Sequence, residues 1–167
     1  MKASEFIGKT VIDKTGVEIG KVEDIIVKPK KCLMDRIIIG SGSLINKKHF
    51  SVKDNEIEST GDYVLLNMAL KEIEDKLGSE DLDYIKKVET NFEEIQGKVV
   101  ITQNGVELGT VEDMVIKPSQ CLIENIIVKS KSDLGKKPFM VGKEEIIDIK
   151  DYMVLNLDLD DIEGRII

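Results

Sequence analysis

The sequence predicts a mainly β protein: two small β-barrels in tandem, joined by a short helical linker. Three observations predict it. Sliding the 167-residue chain by 89 positions lays Gly8–Glu74 on Gly97–Glu163 without a gap, so one domain occurs twice. Within each copy, short apolar runs alternate with Gly, Asn, Asp and Pro, the punctuation of an all-β fold. Each copy also carries a glycine inside its longest predicted strand, which is how a small barrel bends a long strand. The repeat divides the chain into a first copy at 1–74, a linker at 75–91 and a second copy at 92–167.

The elements follow in order. Residues 8–13 form a first short strand, closed by a turn at Lys14-Thr15-Gly16; the second copy has Gln103-Asn104-Gly105 there. Asn-Gly between apolar runs is a strong hairpin signal, because both residues tolerate positive φ. Gly16 and Gly105 are therefore turn glycines. A long strand follows from Val17 to about Lys28, with Gly20 inside it and Gly109 repeating the position as bulge or bend glycines. Pro29 and Pro118 stop that strand, since proline gives no ladder donor. Leu33–Ile39 is a third strand, residues 40–46 a loop, and Phe50–Val52, Ile57–Thr60 and Asp62–Met68 three further strands. In the linker, Leu70, Ile73 and Leu77 fall at helical spacing, Gly78 ends that helix, and Ser79 opens another. Leu159–Glu163 repeats the start of the linker helix.

Bulk properties restrict the function. Formal net charge is −8, against bulk attraction to nucleic acid or an anionic membrane. No apolar run reaches membrane-spanning length and no signal-peptide stretch opens the chain, which predicts a cytoplasmic protein without direct membrane insertion. The two cysteines, Cys32 and Cys121, sit at equivalent positions and read as small apolar residues opening the third strand. Aromatics make up 4% with no Trp, so the core must be Ile, Val and Leu.

Catalytic chemistry is searched for and not assigned. The single histidine, His49, reads as a solvated loop residue, and Pro138 stands at its place in the second copy. One His and no Cys-x-x-Cys pair leave no zinc set. The repeated pairs Glu23-Asp24 and Glu112-Asp113 lie on a strand, where neighbours point to opposite faces, so one acid faces water and the other pairs with a lysine or caps a turn. Lys28, Lys30, Lys31, Lys47 and Lys48, with Lys117, Lys129, Lys131, Lys136 and Lys137, form a basic rim if their loops gather at one barrel end. Arg and aromatic stacking partners are too scarce for a nucleic-acid surface. No catalytic residue, cofactor or metal site is assigned.

The run Gly8-Lys9-Thr10-Val11-Ile12-Asp13, then Gly16, Ile19-Gly20-Lys21-Val22-Glu23-Asp24-Ile25-Ile26-Val27, resembles the opening of a PRC-barrel domain. Gly97-Lys98-Val99-Val100 through Gly105, Gly109, Val111-Glu112-Asp113 and Ile116 resembles it equally, and Ile57–Leu66 and Ile146–Leu155 resemble its last strands. That family takes its name from the photosynthetic reaction-centre H subunit and includes ribosome maturation factors and archaeal division proteins. The resemblance implies no catalytic residues. It implies an adaptor, and the tandem arrangement is similar to archaeal proteins that link the tubulin-like division ring to its membrane anchor protein. The alternative it leaves is an RNA- or ribosome-associated maturation factor. The expected partners are proteins, among them a similar PRC-barrel chain in a homo- or heterodimer, with nucleic acid disfavoured. Apolar Ile37, Ile38 and Ile39, with Ile126, Ile127 and Val128, exceed what a one-sided strand needs and are the expected partner surface.

Overall fold

The computed structural model describes residues 1–28, 31, 33–41, 48–76, 90–131, 135, 137–163 and 165, with the backbone alone for 74–76. The first copy contributes β1 (Thr10–Ile12), β2 (Glu18–Lys28), β3 (Leu33–Ser41), β4 (Lys48–Val52), β5 (Ile57–Thr60) and β6 (Val64–Leu66). After a two-residue β7 (Thr90–Asn91), the second copy repeats the set: β8 (Val99–Thr102), β9 (Glu107–Lys117), β10 (Leu122–Ser130), β11 (Phe139–Gly142), β12 (Ile146–Ile149) and β13 (Met153–Leu155). Among the described residues, α-helices cover Ala3–Phe6, Leu70–Lys76, Phe92–Ile95 and Leu159–Glu163. Gly40 and Ser41, expected in a loop, continue β3, where they pair with Lys21 of β2 and Lys48 of β4. The expected loop at 42–46, Pro29, Cys32, the helix end at Gly78 and the restart at Ser79 lie outside the described residues.

All strands join one curled sheet in the order β12-β13-β8-β9-β10-β3-β2-β1-β6-β5, with β11 on β10, β4 on β3 and β7 on β2. Each barrel closes by a parallel pairing of its first and last strands, β1 on β6 and β8 on β13. The barrels join where Leu33 of β3 pairs with Leu122 of β10. The sequence features that build each barrel sit where strand geometry requires them. In β2 the register against β1 slips between Val11 and Ile12, opposite Gly20 and Glu18. The same slip occurs between Val100 and Ile101, opposite Gly109 and Glu107. A Cβ at Gly20 would be driven into the carbonyl oxygen of Gly40, and one at Gly109 into that of Lys129. Both glycines therefore let two backbones approach at a bulge. Gly16 and Gly105 adopt positive φ, +92° and +83°, in the two hairpin turns.

The core is one contiguous cluster drawn from both copies. It includes Phe6, Val11, Ile25, Ile37, Ile39, Phe50 and Leu66 from the first half, and Phe92, Ile95, Val100, Leu108, Met114, Val128 and Leu155 from the second. This alters one expectation from the sequence. Ile37, Ile38, Ile39, Ile126, Ile127 and Val128 do not form an open partner surface: all six are buried within the chain. Ile37, Ile39, Ile126 and Val128 point into the main core, while Ile38 and Ile127 are buried outside it, so this part of the sheet is covered on both sides. A strand buried on both faces reads as a continuous apolar run, without needing a partner to explain it.

Candidate interaction cleft

The long strands β2 and β9 are closely alike and carry the repeated acid pairs, Glu23-Asp24 and Glu112-Asp113. At Glu23 the register of β2 against β3 slips again, between Val22 and Asp24. The bulge sends the two acids of the repeated pair to different environments. Asp24 is buried, and its Oδ1 accepts the N–H groups of Ile25 (2.8 Å) and of Glu93 (3.3 Å). Asp113 does the same in the second copy, accepting from Met114 N (2.8 Å), Ser4 N (3.1 Å) and the Ser4 hydroxyl. One acid of each pair is thus a cap, as the sequence led one to expect, but what it caps is a short helix from the opposite copy. Those helices and their acceptors were not legible as a pair in the sequence. The only signal was the shared pattern of an apolar residue, two polar residues and another apolar residue at Ala3–Phe6 and Phe92–Ile95.

Glu23 turns outward and meets His49. The Nε2 of His49 lies 2.5 Å from Glu23 Oε2; His49 is exposed, as expected, but sits on β4 rather than in a loop. The Glu23 carboxylate lies over the backbone of Gly40, where a Cβ would collide with it. Beside Glu23 opens a cleft of about 750 Å³, lined by Ile7, Gly8, Glu18, Ile19, Gly20, Lys21, Val22, Glu23, Gly40 and Glu93. Three of those side chains are carboxylates and one is a lysine, so the cleft presents a net negative field. The cleft is built on the first copy, with Glu93 of the second copy at its border. At the same place in copy two, Lys129 replaces Gly40, Pro138 replaces His49, and Lys131 pairs with Glu107 at 3.4 Å. The space left there is about 190 Å³.

The lysine rim does not assemble. Lys28 and Lys31 lie at the Leu33 end of β3, and Lys48 at the Ser41 end. A nine-residue strand separates them, about 27 Å at the usual rise. Lys28 pairs with Asp35 (3.2 Å) and Lys117 with Glu124 (2.8 Å), each across the hairpin it begins. Lys30, Lys47 and Lys136 lie outside the described residues.

Asp13, Glu145 and Cys121 each owe their shift to structural contacts away from the cleft. Burial works against the Asp13 carboxylate, but the N–H groups of Val17, Thr15 and Leu70 and the Thr15 hydroxyl outweigh it and hold its pKa below the ordinary range. A bidentate contact from Arg165 holds Glu145 low as well. Burial, helped by the charge of Asp54, pushes the Cys121 thiol up to about 11, so it stays protonated and unreactive at neutral pH. Among the described residues no group of three or more His, Cys, Asp or Glu converges to hold a metal. No lining residue of the cleft is a Ser, Thr or Cys, and no described helix is long and apolar enough to cross a membrane.

Two tandem copies of one curled, glycine-bent barrel define a class, and comparison with known proteins identifies it. The PRC-barrel domain family matches residues 1–70 and again residues 88–166, and the chain belongs to that family. Among solved structures it is similar to a protein from Pseudomonas aeruginosa described as a 16S ribosomal RNA processing protein, RimM, at 15% identity. That match covers 93% of this chain and 98% of the other, with a TM-score of 0.35. No curated protein matches the chain.

Proposed function

We propose that the chain is a non-enzymatic protein–protein adaptor whose docking element is the cleft of the first copy. The observation that carries this is the difference between equivalent sites: about 750 Å³ open in one copy and about 190 Å³ in the other. Both copies keep the residues that build the barrel, and one keeps a carboxylate-lined recess beside it. A recess lined by Glu18, Glu23 and Glu93, with Lys21 as its one cation, suits a basic segment of a protein partner, steered by the field of an acidic chain. The cellular setting proposed is the cytoplasm, at the archaeal division site, linking the tubulin-like ring to its membrane anchor protein. It rests on the tandem PRC-barrel arrangement.

The test measures binding of a fluorescent lysine-rich peptide to the full chain as salt is raised, alongside Gly40→Lys, which imports the second copy's side chain into the cleft. Binding that weakens with salt and falls at least tenfold in the variant supports the docking element. Purified ring and anchor proteins, presented separately, then test the setting. Binding of structured RNA in place of all three moves the reading to ribosome maturation.

A further inference from the structure

Residues 1–6 and 90–95 perform one task for opposite copies. In one direction Ser4 N donates to Asp113 Oδ1 (3.1 Å), Ile116 N donates to the carbonyl of Met1 (2.8 Å), and Lys2 forms a bridge with Val115. In the other, Glu93 N donates to Asp24 Oδ1 (3.3 Å), while Thr90 and Asn91 pair as an antiparallel strand with Val27 and Ile26. The 89-residue offset carries Ser4 onto Glu93, Lys2 onto Asn91, Asp24 onto Asp113 and Ile26 onto Val115. Ala3, Phe6, Phe92 and Ile95, the apolar residues of both arms, are buried.

The join between the barrels has the same property. Leu33 pairs with Leu122, and Leu122 is the residue that the offset assigns to Leu33. A residue that contacts its own equivalent lies on a two-fold axis, and contacts that come in reciprocal pairs around it are the mark of an isologous interface. In a symmetric homodimer that pattern arises between chains. Here it arises inside one.

We propose that this chain is a covalent dimer: two PRC-barrel protomers held by an isologous interface of exchanged arms, with the linking peptide dispensable once the chain has folded. The partner that each long strand fits is a second PRC-barrel protomer whose arm brings a helix-start N–H to the buried aspartate. The surface is used twice within the chain, and after a cut in the linker it accepts the corresponding half of a second copy.

The experiment keeps the full chain. A protease site is placed within residues 77–89, the folded protein is cut, and the mass of the product is measured at micromolar concentration. The expected result is one species with the mass of the intact chain. Mixing cut protein with an isotopically labelled cut copy should then yield mixed pairs over time. Separation of the halves on cutting would overturn the proposal, as would a labelled half that never exchanges over days. Asp24→Asn combined with Asp113→Asn should weaken association of the cut halves at least tenfold. Ser4→Pro with Glu93→Pro removes the two arm donors in the first helical turn, where proline is tolerated, and leaves both barrel interiors unchanged. It decides the point if the aspartate variant fails to fold. Halves of the proline variant that bind as tightly as wild type would show that the arms are not the interface.

Discussion

The two copies share a backbone, and several of their differences lie where a side chain meets a neighbouring element. Gly16 and Gly105, Gly20 and Gly109, Asp24 and Asp113 stand at matched places because a turn, a bulge or a buried helix end permits little else. Beside them, Asp13 in copy one becomes Thr102 in copy two. Both accept the N–H four residues on, Val17 or Val106, but only the carboxylate has a second oxygen for Leu70 N. Gly40 becomes Lys129 and His49 becomes Pro138, and the recess beside Lys129 is smaller. At these positions identity between the repeats follows a backbone requirement, and difference falls where a copy has taken on its own contacts.

The sharpest way to break this comparison is at the bulges. Gly20→Ala and Gly109→Ala should each destabilise the chain by about 3 kcal/mol, since the added methyl meets backbone that cannot rotate away. Urea unfolding measures it; a loss at only one site would show that the two bulges are not equivalent. Next come the buried acids. Asp113→Ala and Asp24→Ala should each cost about 2 kcal/mol, the usual loss when buried N–H groups lose a charged acceptor. Faster amide exchange should appear at the arm of the opposite copy, Ser4 for Asp113→Ala and Glu93 for Asp24→Ala. Exchange that rises only in the mutated copy would contradict the reciprocal arrangement.

A smaller effect separates the copies by pH. Arg165 clasps Glu145 on the second copy, and the pair is partly exposed, so Arg165→Ala should cost about 1 kcal/mol at neutral pH. Because the folded Glu145 is held below its ordinary pKa, that contribution is present above pH of about 4 and is lost as the pH falls through the folded value. Stability measured between pH 3 and 7 should therefore fall less steeply in the variant. The first copy carries its acid sensitivity at Asp13, depressed in the same direction, so Asp13→Asn should also flatten the acid limb. A variant whose acid limb matches wild type would remove that group from the account.

Much of the fold was legible because it is set by local rules. Asn104-Gly105 announces a hairpin, and Gly20 within an apolar strand announces a bulge, without reference to anything distant. The linker helix and Leu159–Glu163 followed from apolar spacing. The site was less legible. His49 and Glu23 lie 26 residues apart and meet only because β4 pairs with β3, which carries Gly40 beneath the carboxylate. The apolar triplets misled for a related reason. Ile38 and Ile127 look like surplus surface until tertiary packing covers the second face of the sheet. The arms escaped notice because their anchors are backbone N–H groups, and any residue but proline supplies one.

The span of the arm contacts sets an order of events during synthesis. Ser4 reaches Asp113 across 109 positions and Met1 reaches Ile116 across 115, so residues 1–6 have no acceptor until β9 of the second copy has emerged. The first barrel receives its borrowed arm earlier, when residues 90–95 appear. Closing so large a loop carries an entropic cost that only the finished interface repays. Residues 1–6 are therefore made well before the strand they complete, and they take their place only once the second barrel's long strand has appeared.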